Sequence, residues 1–320
     1  MEPILEGFMA MITTTSQAQA SAIPLIVLVG TLVGGNFALA KYVVTNGISP
    51  LVLFEWQVLG AGLALFFILA VRFRSDLVIL GSRPVLIYSL VNGLLGVSIP
   101  QILSYFALQQ VPAGLFTVLI TLSPLLTFCL SSLAGRKLLP MRRLLGILSG
   151  LAGVTVATAD WEASTNAGFL WLLAAALTPF FLALTNVYRE RAMPAGANPL
   201  ALAAGTLLSQ AILFMPVTLF PDGGQLPLHD PGRLHLAVLC LCAVTALSYV
   251  LTFELYRRTD GVGFSQVGYF VTLSGIAMGA FFFGEPIRPW FAFSVLLLFL
   301  GMALSNGHLS TPHRRVPGGD

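Results

Sequence analysis

The stretch PLVLFEWQVLGAGLALFFILAV, residues 50–71, contains a single charged side chain, Glu55. A helix needs about 20 mostly apolar residues to cross the hydrocarbon core of a bilayer, and this stretch is long enough. A turn signal, NGISP (residues 46–50), leads into it, and a charged segment, RFRSD (residues 72–76), follows it. The stretch therefore predicts a transmembrane helix.

The composition of the whole chain is like that of this stretch. Of its 320 residues, 57% are apolar and 9% are charged, and the mean hydropathy is +0.89. Soluble domains carry about 25% charged residues, so a water-soluble enzyme fits poorly. A net charge of +3 does not suggest nucleic acid as a partner, and three cysteines are too few for a disulfide scaffold. These values favour a polytopic membrane protein whose main partner is the lipid bilayer.

Ten apolar stretches of spanning length follow one another, with short connections rich in Gly, Pro and charged residues. We predict an all-α polytopic membrane protein with ten transmembrane helices. The predicted spans 1 to 10 are residues 22–42, 50–71, 84–108, 113–134, 142–160, 168–188, 199–220, 234–256, 262–283 and 289–307.

The positive residues distinguish the two sides of the membrane. With ten spans, 3 of the 16 Lys and Arg residues fall on one side: Lys41, Arg233 and Arg288. The other side, which holds both termini, has Arg72, Arg74, Arg83, Arg136, Lys137, Arg142, Arg143, Arg189, Arg191, Arg257, Arg258, Arg314 and Arg315. Cytoplasmic loops carry an excess of Lys and Arg. We therefore expect a multi-pass protein of the cell inner membrane with both termini in the cytoplasm.

The spans divide into two halves of five. We expect a polar cytoplasmic tail at 1–21, a first repeat at 22–160, a second repeat at 161–308 and a cytoplasmic tail at 309–320. The first tail lacks the positive and apolar regions of a cleavable signal peptide, so span 1 should stay in the membrane. Because five is odd, the second half enters the membrane inverted. Many secondary transporters use inverted repeats to build two exchangeable states around a midplane site.

In this arrangement the chain resembles the EamA-type transporters of the drug/metabolite transporter superfamily, over about residues 22–308. Each matching piece is degenerate, and their order and spacing make the resemblance specific. The pieces are GGNFALAK (34–41), Ser49-Pro50, LSPLL (122–126), Gly135, LLGIL (144–148), YRR (256–258) and GAFFFGE (279–285). The resemblance implies export, or in some members uptake, of amino acids and other small metabolites by alternating access. The chain also resembles the amino-acid exporter branch of this superfamily.

The chain departs from the family pattern at three places. Arg136 follows Gly135 where an acidic residue is usual, although the counterpart Glu285 is present. Thr272 stands where span 9 usually has a proline, and residues 55–57 stand where span 2 often has a basic residue. These departures bear on the substrate and leave the expected architecture unchanged.

Polar side chains within spans are candidates for the substrate pathway, since they are costly in hydrocarbon. Amides and hydroxyls suit a zwitterionic or neutral small-molecule substrate, although such groups also join helices. Pro100 in addition frees the carbonyl of Gly96 in span 3. The predicted substrate-binding residues are Asn36, Asn92, Gln101, Tyr105, Thr117, Thr121, Asn186, Gln210, Gln266 and Tyr269.

Carboxylates are absent from the centres of the spans, which limits how transport could be coupled to protons. Glu55 lies near the outer end of span 2. Glu254 lies near the inner end of span 8, where Arg257 and Arg258 are one turn away and could simply pair with it. Proton coupling would have to use Glu55 or Glu254. Without it the protein is a facilitator or an exchanger.

Two alternatives stay open at this point: a proton-coupled multidrug exporter and, more distantly, a membrane-embedded sensor or enzyme. No phosphate-binding loop, zinc motif or nucleophile elbow is found, so we expect no catalytic residues, no metal site and no cofactor. Spans 5 and 10 have few polar residues and should be peripheral, which would allow a homodimer. The glycine pairs Gly30/Gly34, Gly146/Gly150 and Gly275/Gly279 have the spacing of close helix contacts.

Overall fold

The structure is a computed structural model that describes residues 2–135, 141–162, 169–219, 232–259, 264, 267–287 and 289–306. Within these ranges all regular secondary structure is helical. In the described part of the chain, seven helices are long and apolar enough to cross a membrane on their own, and three shorter apolar helices cover Leu144–Ala157, Val267–Phe283 and Ala292–Gly301. These ten helical segments coincide with the ten predicted spans. The prediction of an all-α polytopic membrane protein is confirmed.

The helices agree with the predicted spans to within a few residues at most ends. Their bounds are Glu2–Thr45 for span 1, Pro50–Arg72 for span 2, Arg83–Gly93 and Ile99–Leu108 for span 3, Ala113–Ile120 and Leu122–Ala134 for span 4, Met141–Glu162 for span 5, Phe169–Ala192 for span 6, Pro199–Leu219 for span 7, Arg233–Arg258 for span 8, Val267–Phe283 for span 9 and Pro289–Asn306 for span 10. Short helical turns at Arg74–Asp76 and Leu77–Leu80 connect spans 2 and 3. The first helix starts well before residue 22, because the segment ahead of span 1 is rich in Ala, Met and Gln, which favour helix.

Two spans are interrupted at prolines. Span 3 contains a π-helical turn, Leu94–Ser98, which ends two residues before Pro100. Span 4 breaks at Thr121, three residues before Pro124. Proline lacks an N–H and cannot bond the carbonyl four residues earlier, so each helix departs from α geometry on the preceding turn. Single π turns are frequent at functional sites.

The contacts between spans have the same pattern in both halves of the chain. Span 1 packs against spans 8 and 9, and its counterpart, span 6, packs against spans 3 and 4. Span 2 packs against spans 7 and 8, and its counterpart, span 7, packs against spans 2 and 3. Spans 4 and 9 pair with each other, as do spans 5 and 10. Every one of these main contacts maps onto another, or onto itself, when span n is exchanged with span n+5.

Glycines allow the close approaches that the sequence predicts. A Cβ added to Gly34 in span 1 would lie 2.7 Å from the Val271 carbonyl oxygen in span 9. A Cβ on Gly301 in span 10 would lie 2.5 Å from the Gly146 carbonyl oxygen in span 5. Ser149 Oγ also donates to the Leu297 carbonyl across the pair of spans 5 and 10, at 2.8 Å. Small residues thus let these helix backbones nearly touch.

Candidate functional site

A cavity of about 160 Å³ lies between the two halves. Its walls are formed by described residues of spans 1, 3, 4, 6, 8 and 9. These six spans are three pairs of counterparts: 1 with 6, 3 with 8, and 4 with 9. Each half of the chain therefore contributes three spans to the cavity, and the three spans of one half are the counterparts of the three spans of the other.

One wall of the cavity is supported by a chain of hydrogen bonds that joins four spans. The Tyr105 hydroxyl donates to Gln57 Oε1, and Gln57 Nε2 donates to Thr245 Oγ1 at 2.5 Å. Thr245 Oγ1 in turn donates to Asn36 Oδ1 at 3.4 Å. Because the chain ends on the oxygen of Asn36, the amide nitrogen of this cavity residue has its donors available to a ligand.

The interrupted part of span 3 also faces the cavity. Gly96 and Pro100 line it, and the Gly96 carbonyl, which Pro100 leaves without a helical donor, accepts a hydrogen bond from the Tyr249 hydroxyl at 3.2 Å. Gln101 lines the cavity one residue further on, and its Oε1 is buried with no hydrogen-bond partner in the described part of the chain. The break in span 3 thus lets a backbone carbonyl bond to span 8, and the neighbouring Gln101 adds a buried side-chain oxygen to the cavity wall.

Asn186 in span 6 lines the cavity with both ends of its amide engaged. Its Nδ2 donates to Thr127 Oγ1 at 3.2 Å, and its Oδ1 accepts from the Tyr256 hydroxyl at 2.7 Å. The Tyr256 ring stacks on Phe264, with 4.1 Å between the ring centroids. Asn186 therefore joins spans 4, 6 and 8 and presents a fixed amide to the cavity.

Arg189 is a cavity residue that the sequence interpretation placed among the cytoplasmic positive charges. It lies one turn before the end of span 6 and is 7% exposed. Its Nε donates to Asn92 Oδ1 at 2.7 Å, and its guanidinium lies over the rings of Phe253 and Tyr256, at 5.4 and 5.5 Å from their centroids. The charge is thus inside the bundle, at the wall of the cavity.

Two predicted residues, Asn92 and Gln210, are fully buried behind the wall of this cavity. Asn92 Nδ2 donates to Thr206 Oγ1 at 3.2 Å while its oxygen holds Arg189. Gln210 accepts from Ser98 Oγ at 2.7 Å and packs against Gly93. Both join spans 3 and 7, so the structure supports a positioning role for them and brings neither into contact with the cavity.

Three further predicted residues also lie away from this cavity. The hydroxyls of Thr117 and Thr121 donate to carbonyls of their own helix, those of Gly114 and Val118. The Tyr269 ring packs on Phe299 in span 10, with ring centroids 4.8 Å apart. Gln266 lies outside the described residues. Of the ten predicted binding residues, the cavity wall contains Asn36, Gln101, Tyr105 and Asn186.

The two carboxylates considered for coupling have different surroundings. Glu55 is 1% exposed, and its Oε2 has no hydrogen-bond partner within the described ranges. Glu254 is 27% exposed and pairs with Arg258 at 2.7 Å and with Arg257 at 3.5 Å. Glu254 thus forms the local ion pair at the end of span 8, whereas the carboxyl group of Glu55 is buried within the bundle.

Sequence reasoning missed Arg189, Gln57 and Tyr249. Gln57 could have been found as an amide inside an apolar span, by the same criterion that selected Gln210. Arg189 carried no such signal, because an arginine near the end of a span is the ordinary positive-inside pattern. Among the described residues, no group of three His, Cys, Asp or Glu side chains is arranged to hold a metal ion.

Comparisons with known proteins agree with this geometry. The sequence pattern of the EamA-like transporter family matches the chain twice, over residues 20–159 and 169–307. A solved structure described only as "Crystal structure of protein" is similar with a TM-score of 0.65 and 20% identity, over 89% of this chain and 96% of that one. No curated protein matches the chain. The doubled match covers most of the chain, and this protein belongs to the EamA-like transporter family.

Proposed function

We propose that the protein is a secondary transporter that moves small zwitterionic or neutral metabolites, such as amino acids, across the cell inner membrane by alternating access. We further propose that both termini lie in the cytoplasm, as the positive charges of the loops favour. Export is proposed as the direction of transport, because the resemblance to the EamA-type transporters implies it. The domain division proposed is a repeat at 22–160 and a second at 161–308, between tails at 1–21 and 309–320.

One observation carries this proposal: the cavity is lined by three pairs of counterpart spans. In an inverted-repeat transporter the two halves can exchange conformations, which opens a shared central site first to one side and then to the other. A site shared in this way is useful for alternating access, because the same residues can hold the substrate in both states. A membrane enzyme or a sensor gains nothing from such sharing.

The chemistry of the walls supports a small polar substrate. Asn36, Gln101 and Asn186 supply amide groups, and Tyr105 and Tyr249 supply aromatic faces. A cavity of about 160 Å³ suits a molecule of amino-acid size better than the large apolar compounds of a multidrug exporter.

A charged cluster holds one end of the bundle together. Where spans 1 and 9 end, Lys41 and Glu285 form an ion pair, and Glu285 also accepts from two backbone N–H groups at the start of span 4. This cluster holds spans 1, 4 and 9 together at one end of the bundle. Alternating access requires such contacts to break and re-form in each cycle.

Proton coupling is a second element of the proposal and rests on Glu55. Among the described residues Glu55 Oε2 has no hydrogen-bond partner, and burying a charged oxygen in this way is costly, so we propose that Glu55 binds the coupling proton. A conformational change that exposes Glu55 to water would release that proton. The proposal for Glu55 does not depend on which residues bind the substrate in the cavity.

The experiment is transport by the purified full chain in proteoliposomes. Radiolabelled amino acids are offered to vesicles preloaded with the same unlabelled compound, so that exchange is measured without a driving gradient. At least one compound should accumulate faster than in protein-free vesicles, and excess unlabelled compound should abolish the signal. If no amino acid or related small metabolite exchanges, the proposed function is wrong.

A further inference from the structure

Arg189 is the only cationic side chain in the wall of the cavity among the described residues. We propose that its guanidinium binds the carboxylate of the transported molecule, and that the substrates of this protein are small monocarboxylates, amino acids included. This inference rests on the proposed function, because it takes the molecule bound in the cavity to be the one that crosses the membrane.

The guanidinium lies much deeper than the position of Arg189 in the sequence suggests. Its Nη2 lies 3.2 Å from where a Cβ would stand on Gly96, and Gly96 is at the middle of span 3. A charge at this depth is costly and persists only where its surroundings compensate it. Long arginine side chains near helix ends usually extend outward to the interface. Arg189 extends inward, to the cavity.

Within the described part of the chain, the protein supplies no carboxylate to balance this charge. The ion pairs found there join Lys41 with Glu285, and Glu254 with Arg257 and Arg258. Arg189 is compensated by neutral groups, namely the Asn92 oxygen and the faces of Phe253 and Tyr256. These contacts orient the guanidinium. Because none of these groups carries a negative charge, the positive charge of Arg189 is not neutralised and can attract an anionic ligand.

The hydrogen bond to Asn92 explains how the guanidinium is presented. It uses Nε and so fixes the plane of the group, while Nη2 lies beside Gly96 at the cavity wall. A guanidinium fork matches a carboxylate with two parallel N–H···O bonds. A Cβ on residue 96 would lie 2.5 Å from Thr185 Cγ2 and 3.2 Å from Nη2, so glycine at this position lets span 3 pack closely against span 6 beside the guanidinium.

Other groups in the cavity match the remainder of such a substrate. Gln101 Oε1 and Ser248 Oγ line the same cavity, and both are buried without a hydrogen-bond partner in the described ranges. They can accept hydrogen bonds from an ammonium or amide group, which is what a zwitterion presents at its other end. One guanidinium in the cavity wall balances one negative charge, which favours a carboxylate over a phosphate dianion.

The test compares matched pairs of ligands that differ in the carboxylate alone. The melting temperature of the purified full chain in detergent is measured with L-leucine against L-leucinamide, and with butyrate against butyramide. In the wild type the carboxylates should raise Tm and the amides should not. Arg189→Gln should weaken the apparent affinity for the carboxylates by about tenfold to a hundredfold, the loss expected for charge-assisted hydrogen bonds.

Arg191→Gln is the matched control. It removes the same charge two residues later on the same helix, at an exposed position, and its ligand response should equal that of the wild type. Should Arg189→Gln fail to fold, Asn92→Asp replaces it: this isosteric change places a carboxylate against Nε, and the internal counterion should compete with the ligand. Arg189→Lys should recover only part of the response, because an ammonium lacks the fork.

The inference is overturned if amides stabilise the wild type as well as carboxylates do, if no carboxylate raises its Tm, or if Arg189→Gln and Asn92→Asp both respond like the wild type. Flux through proteoliposomes separates this inference from the proposed function. Equal flux of both members of each pair would overturn the carboxylate site and leave the transporter proposal standing. A carboxylate-specific rise in Tm without any flux would support the site and overturn the transporter proposal.

Discussion

Lys41 Nζ lies 2.5 Å from Glu285 Oε1, although 244 residues separate the two in the chain. The same carboxylate accepts hydrogen bonds from the backbone N–H groups of Ala113 and Gly114 at 2.7 and 2.8 Å. Glu285 therefore acts at once as the counterion of Lys41 and as an acceptor at the N-terminus of span 4, where the helix dipole also favours an anion. Span 1, the start of span 4 and the segment after span 9 are thus joined by the side chain of Glu285.

Because Glu285 has both roles, we predict that exchanging the charges of residues 41 and 285 does not preserve the stability of the protein. Lys41→Gln and Glu285→Gln should each lower the melting temperature of the protein, by about 2–5 °C, because each removes one partner of a charge-assisted hydrogen bond. The exchange of Lys41→Glu with Glu285→Lys should not restore it, because a lysine at 285 cannot accept from the N–H groups of span 4. Thermal unfolding in detergent measures this, and a swapped variant as stable as the wild type would contradict the assigned role.

A second prediction concerns Asn36 at the cavity. Asn36→Ala should reduce substrate exchange in proteoliposomes several-fold, because it removes the amide donors at the cavity. Tm should change little, because the one side-chain hydrogen bond of Asn36 to a described residue, from Thr245 Oγ1, is long at 3.4 Å. Leu28→Ala is the matched control, because Leu28 is in the same helix with an exposed side chain. Equal flux through both variants would remove Asn36 from the site.

A third prediction separates proton coupling from facilitated transport. If Glu55 carries the proton, an inward or outward pH gradient should drive flux in the wild type, and Glu55→Gln should transport at a rate independent of the gradient. Glu254→Gln should keep the response, because Glu254 is engaged with two arginines at the end of span 8. Wild-type flux that is the same with and without a pH gradient would refute coupling through Glu55.

A fourth prediction tests the close contact of spans 1 and 9. Gly34→Ala should destabilise the protein by about 1–3 kcal/mol, because the new methyl group would press on the Val271 carbonyl oxygen, 2.7 Å away, and on Ser274. Gly81→Ala is the control, since its nearest neighbour would be an ordinary 3.7 Å away. Chemical unfolding of both variants checks this, and equal stability would show that spans 1 and 9 are further apart.

Part of the polar site could be predicted from the sequence, at the position where a backbone rule applies. Pro100 must release the Gly96 carbonyl wherever span 3 packs, and the structure pairs that carbonyl with Tyr249. The identity of the partner was not predictable, because Tyr249 is in another half of the chain. Thr117 and Thr121 show the same limit: helical spacing aligns them on one face, but the position of span 9 decides what that face meets, and both lie outside the wall of the described cavity.

The sequence alone determined the ten spans and their short connections, because hydropathy over 20 residues depends on that segment alone. It also pointed to the two-repeat arrangement, which follows from counting spans. The tertiary structure alone decided which polar side chains reach the cavity, because the neighbouring helices determine what a helix face meets. Arg189 is the clearest case: its place near the end of span 6 predicted contact with water, and the packing of spans 3 and 8 around its long side chain buried its charge at the cavity instead.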